Sequence, residues 1–510
     1  MKTKRSLYNS IASLGYYIVT ILLGIVNRKY VICILGIEYQ GINGLFSNVL
    51  SMLSIAELGI GTTIIFHLYK PLHDRNIPVI RSLMQFYRKC YLAIAAGIAA
   101  IGLLLIPCLD FFVAENTLPY PLAGLYIWFL LDAVVSYLFT YKRSILIADQ
   151  KNFVVTGCDL AYQFGVKLGQ IAVLLMTHNF IAYLVFMVFA RIAENLFLNA
   201  LSEKMYPFLK EAGAEKLSPE ILKDIRQKVK GTVFHKVGGF IVTGKDNILI
   251  SKFMGLAAAG IYSNYFLIIN ALKNICTQMI TAATASVGHM LAEGNREKNY
   301  EVFMEMQILN GGIANCAAAG IYSVATPLIS TVFGTEFTLS DGTLFVLAFN
   351  FYIQGIRNVF GIFKEAGGIL YEDRFVPLIE SAVNLASSLI LMKIFGLSGI
   401  FLGTIVSSTV LFCYTYPKFV YGQILKRTLR EYIKEILWLL AVACVSLGMT
   451  RKVMIMTSRL ALSSQIAVRF LWSVVIPNIL FLCIYGIHHK EFGNLLRRIQ
   501  KLFHSGKKES

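Results

Sequence analysis

The segment 153–176 reads FVVTGCDLAYQFGVKLGQIAVLLM and decides the class of fold. Most of its residues are apolar, and it exceeds the roughly 20 residues that a helix needs to cross about 30 Å of hydrocarbon. Backbone groups find no water inside a bilayer, so a segment of this kind must satisfy them within a helix. The segment therefore predicts a membrane-spanning helix.

The composition extends this prediction to the whole chain. Of 510 residues, 56% are hydrophobic and 15% are charged, whereas roughly a quarter are charged in soluble domains. The net charge of +18 could suggest nucleic acid as a partner. The basic residues fall in short gaps between apolar runs, however, which indicates a membrane surface and no nucleic acid. The nine cysteines form no Cys-x-x-Cys motif, so we expect no metal site and no cofactor.

About fourteen apolar stretches have the length of a membrane helix, and they predict an all-α integral membrane protein. They lie near 7–26, 41–68, 91–113, 119–140, 153–176, 180–201, 232–251, 258–288, 303–330, 342–363, 375–392, 398–417, 433–450 and 466–487.

The distribution of Lys and Arg predicts the orientation of these spans, because cytoplasmic loops hold most basic residues. With the N-terminus inside, the loops on the outer side hold few of them: Arg28, Lys29, Lys252, Lys393, Arg451, Lys452 and Arg459. We therefore expect both termini in the cytoplasm and, from the resemblance given below, a bacterial plasma membrane.

A weak internal repeat predicts two related halves. The motif Gly36-x4-Gly41-Ile42 recurs as Gly255-x4-Gly260-Ile261, 219 residues further on, and Lys142 with Phe153-Val154 recurs as Lys364 with Phe375-Val376. The repeat predicts five parts, which are an N-terminal six-helix bundle, a cytoplasmic amphipathic linker, a C-terminal six-helix bundle, extra helices 13 and 14, and a basic cytoplasmic tail. Their boundaries are 1–205, 206–230, 231–420, 421–488 and 489–510.

The linker should begin a helix at Ser218-Pro219, with Ser as the N-cap and Pro in the first turn. Its apolar edge and its Lys and Arg residues favour a position on anionic lipid, and the tail has a similar pattern. A solvated linker is the alternative for the tail.

Charged side chains inside spans are the best candidates for a binding site, since each costs about 2.5–3.5 kcal/mol at a helix centre unless it faces the bundle interior or a wet cavity. In the fifth span, polar residues recur with helical spacing and form one face. Similar faces occur in the eighth and tenth spans, and Lys245-Asp246-Asn247 interrupts the outer part of the seventh. The candidates for substrate binding are Lys167, Lys245, Lys273, Arg357, Gln163, Gln354 and Asn274.

A second group has a role in either ion coupling or helix packing: Glu57, Asp132, Asp159, Arg191 and Glu194. Asp132 and Glu57 could bind a coupling proton or sodium ion, but single carboxylates of this kind are equally often packing groups. Arg191 and Glu194 are three residues apart and could neutralise each other. Each buried Lys or Arg has the same structural alternative, in which it pairs with an acid such as Asp159 or Asp246.

Buried cations in both halves favour an anionic substrate, because Arg and Lys are natural partners of phosphate oxygens. An ion-coupled exporter of cationic drugs should instead have an acidic cavity. A membrane-embedded polymerase or glycosyltransferase is less favoured, because the outer loops are short and contain no catalytic motif. A bundle that transports nothing is the remaining alternative. No catalytic residues are therefore assigned.

Several short stretches resemble the multidrug/oligosaccharidyl-lipid/polysaccharide flippase superfamily, above all its bacterial polysaccharide-exporter branch. They are Leu35-Gly36-x4-Gly41-Ile42-Asn43-Gly44-Leu45-Phe46, Ile55-Ala56-Glu57-Leu58-Gly59-Ile60-Gly61, Ala148-Asp149-Gln150-Lys151, and Gly396-Leu397-Ser398-Gly399-Ile400 with Gly403-Thr404.

The resemblance implies two six-helix bundles in a V-shaped, MATE-like arrangement around a cationic cavity, plus two C-terminal helices. It also implies that the substrate is an oligosaccharide on a polyprenyl pyrophosphate, moved to the outer leaflet by alternating access for cell-surface polysaccharide synthesis. The partners would be this lipid, the bilayer, a coupling proton or sodium ion, and polysaccharide-assembly proteins. Lys167, Lys245, Lys273 and Arg357 lie in helices comparable to those that bind the headgroup in related flippases.

Overall fold

The computed structural model describes residues 2–53, 60–138, 140–210, 217–281, 283–369 and 372–488. Throughout these ranges the regular structure is helical and no strand occurs. The α-helices are α1 (Lys2–Leu35), α2 (Ile37–Leu53), α3 (Ile60–His73), α4 (Ile77–Leu105), α5 (Leu122–Leu138), α6 (Thr140–Ala148), α7 (Asn152–Thr177), α8 (Phe180–Met205), α9 (Pro219–Thr281), α10 (Thr284–Ala292), α11 (Arg296–Val332), α12 (Asp341–Ala366), α13 (Val376–Phe395), α14 (Leu397–Val410), α15 (Leu429–Met456) and α16 (Leu462–His488). A π-helix, Leu411–Leu425, continues α14.

The protein is a multi-pass membrane protein. Within the described ranges, eleven helical segments are long and apolar enough to cross a bilayer, or twelve if the bent pair α5 and α6 forms one span. Two features separate this count from the fourteen predicted spans. The predicted span 41–68 includes residues 54–59, which lie outside the described ranges, and the predicted seventh and eighth spans meet at Gly255 in α9. The number fourteen stays a prediction.

Two glycines with positive φ break the helical course at equivalent places in the repeat. Gly36, with φ 115°, separates α1 from α2, and Gly255, with φ 85°, breaks α9. Such φ values are readily available to glycine and strained for other residues. The repeated motif thus encodes the same local structure twice, a helix, a break at glycine and a second helix.

The two copies of this motif pack against each other. A Cβ on Gly41 would lie 2.1 Å from the carbonyl oxygen of Leu256, and a Cβ on Gly260 would lie 2.4 Å from the carbonyl oxygen of Ile37. The contacts are reciprocal, because Ile37 follows Gly36 as Leu256 follows Gly255. Glycine at both positions lets backbone approach backbone, as small residues do where membrane helices cross closely.

A second close contact joins α13 to α14. Gly396 turns the chain with φ 57°, and a Cβ on Gly399 or Gly403 would lie 2.1 Å from the Leu391 carbonyl oxygen or 2.3 Å from Ser388 Oγ. The stretch Gly396-Leu397-Ser398-Gly399, which resembles the exporter family, therefore encodes a tight helical hairpin.

The predicted first loop on the outer side is wrong in one respect. Arg28 and Lys29 were expected to follow the first span, but α1 continues through them to Leu35, and Ile18–Leu35 is the part long and apolar enough to span. Arg28 donates a hydrogen bond to the Ser263 carbonyl oxygen. The apolar residues that follow, Tyr30 to Leu35, extend the helix beyond the charged pair, which places Arg28 inside it.

The predicted linker helix begins where expected, since α9 starts at Pro219 and Ser218 Oγ accepts from the Ile221 N–H at 3.4 Å. It then continues into the seventh predicted span without a separate loop. The tail 489–510 lies outside the described ranges, and its amphipathic pattern stays a prediction.

The chain forms two compact units, Met1–Ser263 and Asn264–Ser510. The first has a buried apolar core that includes Phe46 and Tyr126. The core of the second includes Phe360, whose ring stacks on Tyr416 with centroids 4.4 Å apart. The five predicted parts, with bundle boundaries near 205 and 231, stay a prediction.

Candidate functional site

A continuous chain of ion pairs lies within the first unit and joins α5, α6, α7 and α8. Glu194 is at its centre, with Oε1 2.6 Å from Arg143 NH2 and Oε2 2.8 Å from Arg191 NH1. Arg143 also contacts Asp159 at 2.7 Å, and Arg191 contacts Asp132 at 3.3 Å. We call these five residues the acid–base ladder.

The ladder contains three carboxylates and two guanidiniums, so its formal charge is negative. Removing one partner from such a buried pair leaves an uncompensated charge and costs about 3–5 kcal/mol. The ladder also brings together four of the five residues predicted to serve coupling or packing: Asp132, Asp159, Arg191 and Glu194. The fifth, Glu57, lies outside the described ranges.

Lys167 lies on the same helix as Asp159, two turns further along α7. Its Nζ is 3.5 Å from Gln170 Oε1, which is a weak contact. No carboxylate among the described residues lies within ion-pair distance of this amine. Lys167 is close enough to Arg28 and Asp132 to interact electrostatically with both, so an excess positive charge lies beside the negative ladder.

Polar side chains hold α1 against α7 and α8 at this level. Asn27 Nδ2 lies 3.5 Å from the Lys167 carbonyl oxygen. Tyr183 on α8 donates to Asn27 Oδ1 at 2.8 Å in a buried position. The adjacent Arg28 is therefore fixed near Lys167 by its own helix. Gln163, one turn before Lys167, is half-buried on α7.

In the second unit, Arg357 is the centre of a hydrogen-bonded cluster. Its guanidinium binds Glu380 with two bonds, NH1 to Oε1 at 2.7 Å and NH2 to Oε2 at 3.2 Å. It also donates to Gln354 Oε1 at 3.0 Å, Ser408 Oγ at 3.2 Å and Tyr416 OH at 3.3 Å. The sequence predicted Arg357 and Gln354 on one face, and the structure brings them together.

The other predicted cations differ in their surroundings. Lys245 is buried, and its Nζ lies 2.9 Å from Asp246 Oδ1, an acid that also accepts from Tyr262 OH at 3.5 Å. Lys273 and Asn274 are exposed on the part of α9 that follows Gly255. The seven predicted substrate-binding residues are thus distributed over both units, and their role stays a prediction.

The sequence pattern missed two cations that the structure places beside the candidates. Arg28 was assigned to an outer loop and Arg143 to an inner loop, yet Arg28 lies in α1 and Arg143 in the ladder. For Arg143 the signal was Asp159 on the polar face of α7, because a half-buried carboxylate requires a partner. For Arg28 it was the apolar run that follows it.

Comparison with known proteins agrees with this architecture. A family model described as "Polysaccharide biosynthesis protein" matches residues 90–340. No match is found among curated proteins.

Among solved structures, the chain is similar to an inward closed conformation of the lipid II flippase MurJ, with 13% identity and a TM-score of 0.65, over 94% of this chain and 99% of that one. It is also similar to an inward-facing multidrug resistance MATE family transporter of the MOP superfamily, with 14% identity and a TM-score of 0.57, over 88% of this chain and 99% of that one.

At these identities the solved structures show the fold, and the matched family adds polysaccharide biosynthesis. Together they support the resemblance to the multidrug/oligosaccharidyl-lipid/polysaccharide flippase superfamily and its polysaccharide-exporter branch.

Proposed function

We propose that this membrane transporter moves oligosaccharides linked to polyprenyl pyrophosphate from the cytoplasmic to the outer leaflet of a bacterial plasma membrane. The matched polysaccharide family and the flippase fold support this substrate class. The reaction is transport, so the chain needs no catalytic group for it.

One observation carries the proposal, the pair of cations Arg28 and Lys167 on the packed helices α1 and α7. Asp132 offsets part of the repulsion between these two cations, and a further anion bound beside Lys167 would be favourable. Guanidinium and ammonium groups bind phosphate oxygens through charge-assisted hydrogen bonds. A pyrophosphate headgroup would relieve their repulsion.

The other charged residues then have separate roles in this proposal. Arg357 holds α12 to α13 through Glu380, and Lys245 is paired with the adjacent Asp246 on its own helix. The ladder fixes α5, α6, α7 and α8 as one body, and its negative surplus is available to a coupling proton or sodium ion. Lys273 and Asn274 are exposed on α9, and in this proposal they contact the glycan.

The test is reconstitution into liposomes with two fluorescent lipids that carry the same glycan, one on polyprenyl pyrophosphate and one on a polyprenyl chain without phosphate. We expect the pyrophosphate lipid to appear in the outer leaflet, and the neutral lipid to remain behind. A proton gradient and a sodium gradient, each applied separately, show which ion drives the step. Equal movement of both lipids would contradict recognition of the pyrophosphate.

An exporter of cationic small molecules is the second candidate, and one observation favours it. The ladder of the first unit has more carboxylates than guanidiniums, as a site for a cation should. Ethidium loaded into the same liposomes separates the two candidates. Export of ethidium without movement of the pyrophosphate lipid would select the second.

A further inference from the structure

A pocket of about 500 Å³ lies at one end of the second unit, away from Arg357 and its cluster. It is formed where α10 ends, α11 begins, α12 ends and the π-helix ends. Its lining includes Gly288, Gly294, Arg296, Asn299, Gly367 and Lys426. We call it the Arg296 pocket. Ligand pockets have volumes of roughly 300–1,000 Å³, so its size fits a small ligand.

The pocket has the charge of an anion site. Arg296 and Lys426 both line it, and no carboxylate among the described residues lies within ion-pair distance of either. Two nearby acids already have partners, because Glu293 pairs with Lys298 at 2.7 Å and Glu297 with Arg427 at 2.6 Å. The positive charge at the pocket is therefore not neutralised by these neighbours.

The beginning of α11 adds backbone donors to these cations. Asn295 is the N-cap, and its side chain accepts from the Lys298 N–H at 3.2 Å. The first N–H groups of a helix have no carbonyl partner within it, and the helix dipole favours negative charge there. Arg296 is the first residue of α11, so its cation and the helix terminus act at the same place.

A buried amide shows that the ligand needs more than negative charge. Asn299 lines the pocket, is 5% exposed, and its Oδ1 has no hydrogen-bond partner among the described residues. Leaving such a buried oxygen without a donor costs about 1–3 kcal/mol. A ligand with a hydroxyl group next to its phosphate would supply the donor.

Two glycines leave space at the pocket, and the backbone turns at Lys426 beside it. A Cβ on Gly288 or Gly294 would meet no atom within 4 Å, so each glycine faces free space. Lys426 adopts a left-handed conformation with φ 51°. It follows the last residue of the π-helix, at the position where the chain turns towards α15.

We infer that the Arg296 pocket binds a phosphate ester with a neighbouring hydroxyl group, of the glycerol phosphate class. Such a group occurs in free metabolites and in the headgroup of phosphatidylglycerol. The predicted orientation places Arg296 and Lys426 on the cytoplasmic side, where both sources are present. This inference does not depend on the substrate proposed above, since it involves other residues and a different part of the chain.

The test uses the full-length protein and two probes. In detergent, sn-glycerol 3-phosphate is titrated by calorimetry, with inorganic phosphate as the probe that lacks the hydroxyl. In nanodiscs, native mass spectrometry measures retained phosphatidylglycerol against phosphatidylcholine. Tighter binding of glycerol 3-phosphate identifies a soluble ligand. Retention of phosphatidylglycerol alone identifies a lipid ligand.

Three variants locate the binding. Gly288→Leu fills the pocket without removing a charge, and leucine is favoured over glycine within a helix. Arg296→Gln and Lys426→Asn each remove one cation, and Asn tolerates the left-handed conformation. We expect each charge variant to weaken binding at least about tenfold, as loss of one charge-assisted hydrogen bond predicts, and Gly288→Leu to weaken it by at least as much because its side chain excludes the ligand.

Lys434→Gln is the matched control, because Lys434 on α15 is an exposed cation that does not line the pocket, and this variant should bind like the unchanged protein. Thermal unfolding of every variant shows whether it is folded. The inference is overturned if neither probe binds the folded protein, or if Gly288→Leu binds as tightly as the unchanged chain.

Discussion

Arg357 donates five hydrogen bonds to four side chains, and two of them go to the Glu380 carboxylate. Three of these bonds come from NH1, which has only two hydrogens, so one hydrogen is shared, while Nε and NH2 each make one bond. Lys167 differs, since its amine has a weak contact with Gln170 and no ion pair with a described carboxylate. At the scale of the residue, the geometry of the partners therefore distinguishes Arg357, which joins two helices, from Lys167, which has no ion pair with a described carboxylate.

Lys167 should be required for transport but not for folding. We expect Lys167→Ala to lower the initial rate of lipid translocation at least about tenfold, because a charge-assisted bond to phosphate is lost. Lys167→Arg should keep most of the rate. Lys393→Ala, at an exposed cation near the end of α13, is the control. Unchanged transport in Lys167→Ala would remove this residue from the site.

Arg357 should be required for stability. Arg357→Ala leaves Glu380 buried without its partner and should cost about 3–5 kcal/mol, measured by thermal unfolding in detergent. The double variant Arg357→Met with Glu380→Leu should recover most of this, because replacing a buried pair with apolar residues is often neutral. A stable double variant that transports normally would assign Arg357 to structure, whereas one that is stable but inactive would assign it to binding.

The residue types and helical faces of the site could be predicted from the sequence, but the partners could not. Asp159, Gln163, Lys167 and Gln170 share one face of α7 because their spacing is helical. The pairing of Asp159 with Arg143 depends on how α6 bends against α7, which the pattern of a single helix does not specify. The same applies to Glu380, whose partner lies on a different helix.

At the scale of the element, the crossing of α2 with the second half of α9 depends on glycine. Side chains elsewhere keep crossing helices apart, and here the carbonyl oxygens of Leu256 and Ile37 occupy the positions that side chains would take. The repeat of Gly36-x4-Gly41 in Gly255-x4-Gly260 was a weak signal in sequence. The reciprocal contact explains why both copies need the same two glycines.

Gly41→Ala should destabilise the protein even though alanine is the better helix former. Its Cβ would lie 2.1 Å from the Leu256 carbonyl oxygen, and such overpacking costs about 1–3 kcal/mol. Gly97→Ala in α4 is the control, since its Cβ would meet no atom within 4 Å. Thermal unfolding should rank Gly41→Ala below the unchanged chain and Gly97→Ala at or above it. The reverse order would contradict the crossing.

The loop between α6 and α7 is fastened to the end of α8 by Tyr206. Its OH donates to Asp149 Oδ2 at 2.8 Å and accepts from Lys151 Nζ at 3.3 Å, while Lys151 pairs with Asp149 at 2.6 Å. Burial and the Asp149 carboxylate raise the pKa of the Tyr206 phenol well above its ordinary value. The phenol therefore remains a donor at neutral pH.

Tyr206→Phe should lower stability by about 1 kcal/mol, the usual net value of a hydrogen bond. Because the pKa of Tyr206 is raised on folding, its contribution is complete below the ordinary tyrosine pKa of about 10 and is lost as pH rises above it. The difference in unfolding free energy between the two proteins should be constant near neutrality and shrink in strong alkali. A difference that grows with pH would contradict this.

At the scale of the whole molecule, the membrane class followed from composition and segment length, because both are set by the bilayer and not by the partners of any one residue. The exact number of spans stays a prediction, because the predicted seventh and eighth spans meet at the Gly255 break in α9 and the predicted second span includes residues outside the described ranges. The family match covers residues 90–340 and therefore includes residues of both compact units, which meet in sequence at Ser263 and Asn264.

The predicted topology can be tested by labelling a variant in which the native cysteines are replaced. A cysteine at Lys393 lies near the end of α13 that is predicted to be on the outer side. It should react with a membrane-impermeant maleimide in intact cells. A cysteine at Lys298, predicted to be inside, should react only after permeabilisation. The opposite labelling pattern would show that the predicted orientation of the chain is inverted.

The glycine crossing also limits which changes in chain length the protein can accept. Successive residues of a helix are turned by about 100° about its axis. Deleting or inserting one residue between Gly36 and Gly41 would direct a bulky neighbour, Gln40 or Ile42, at the carbonyl of Leu256. Loops generally tolerate the insertion or deletion of a residue. The stretch between Gly36 and Gly41 should not tolerate either change, and neither should its counterpart between Gly255 and Gly260.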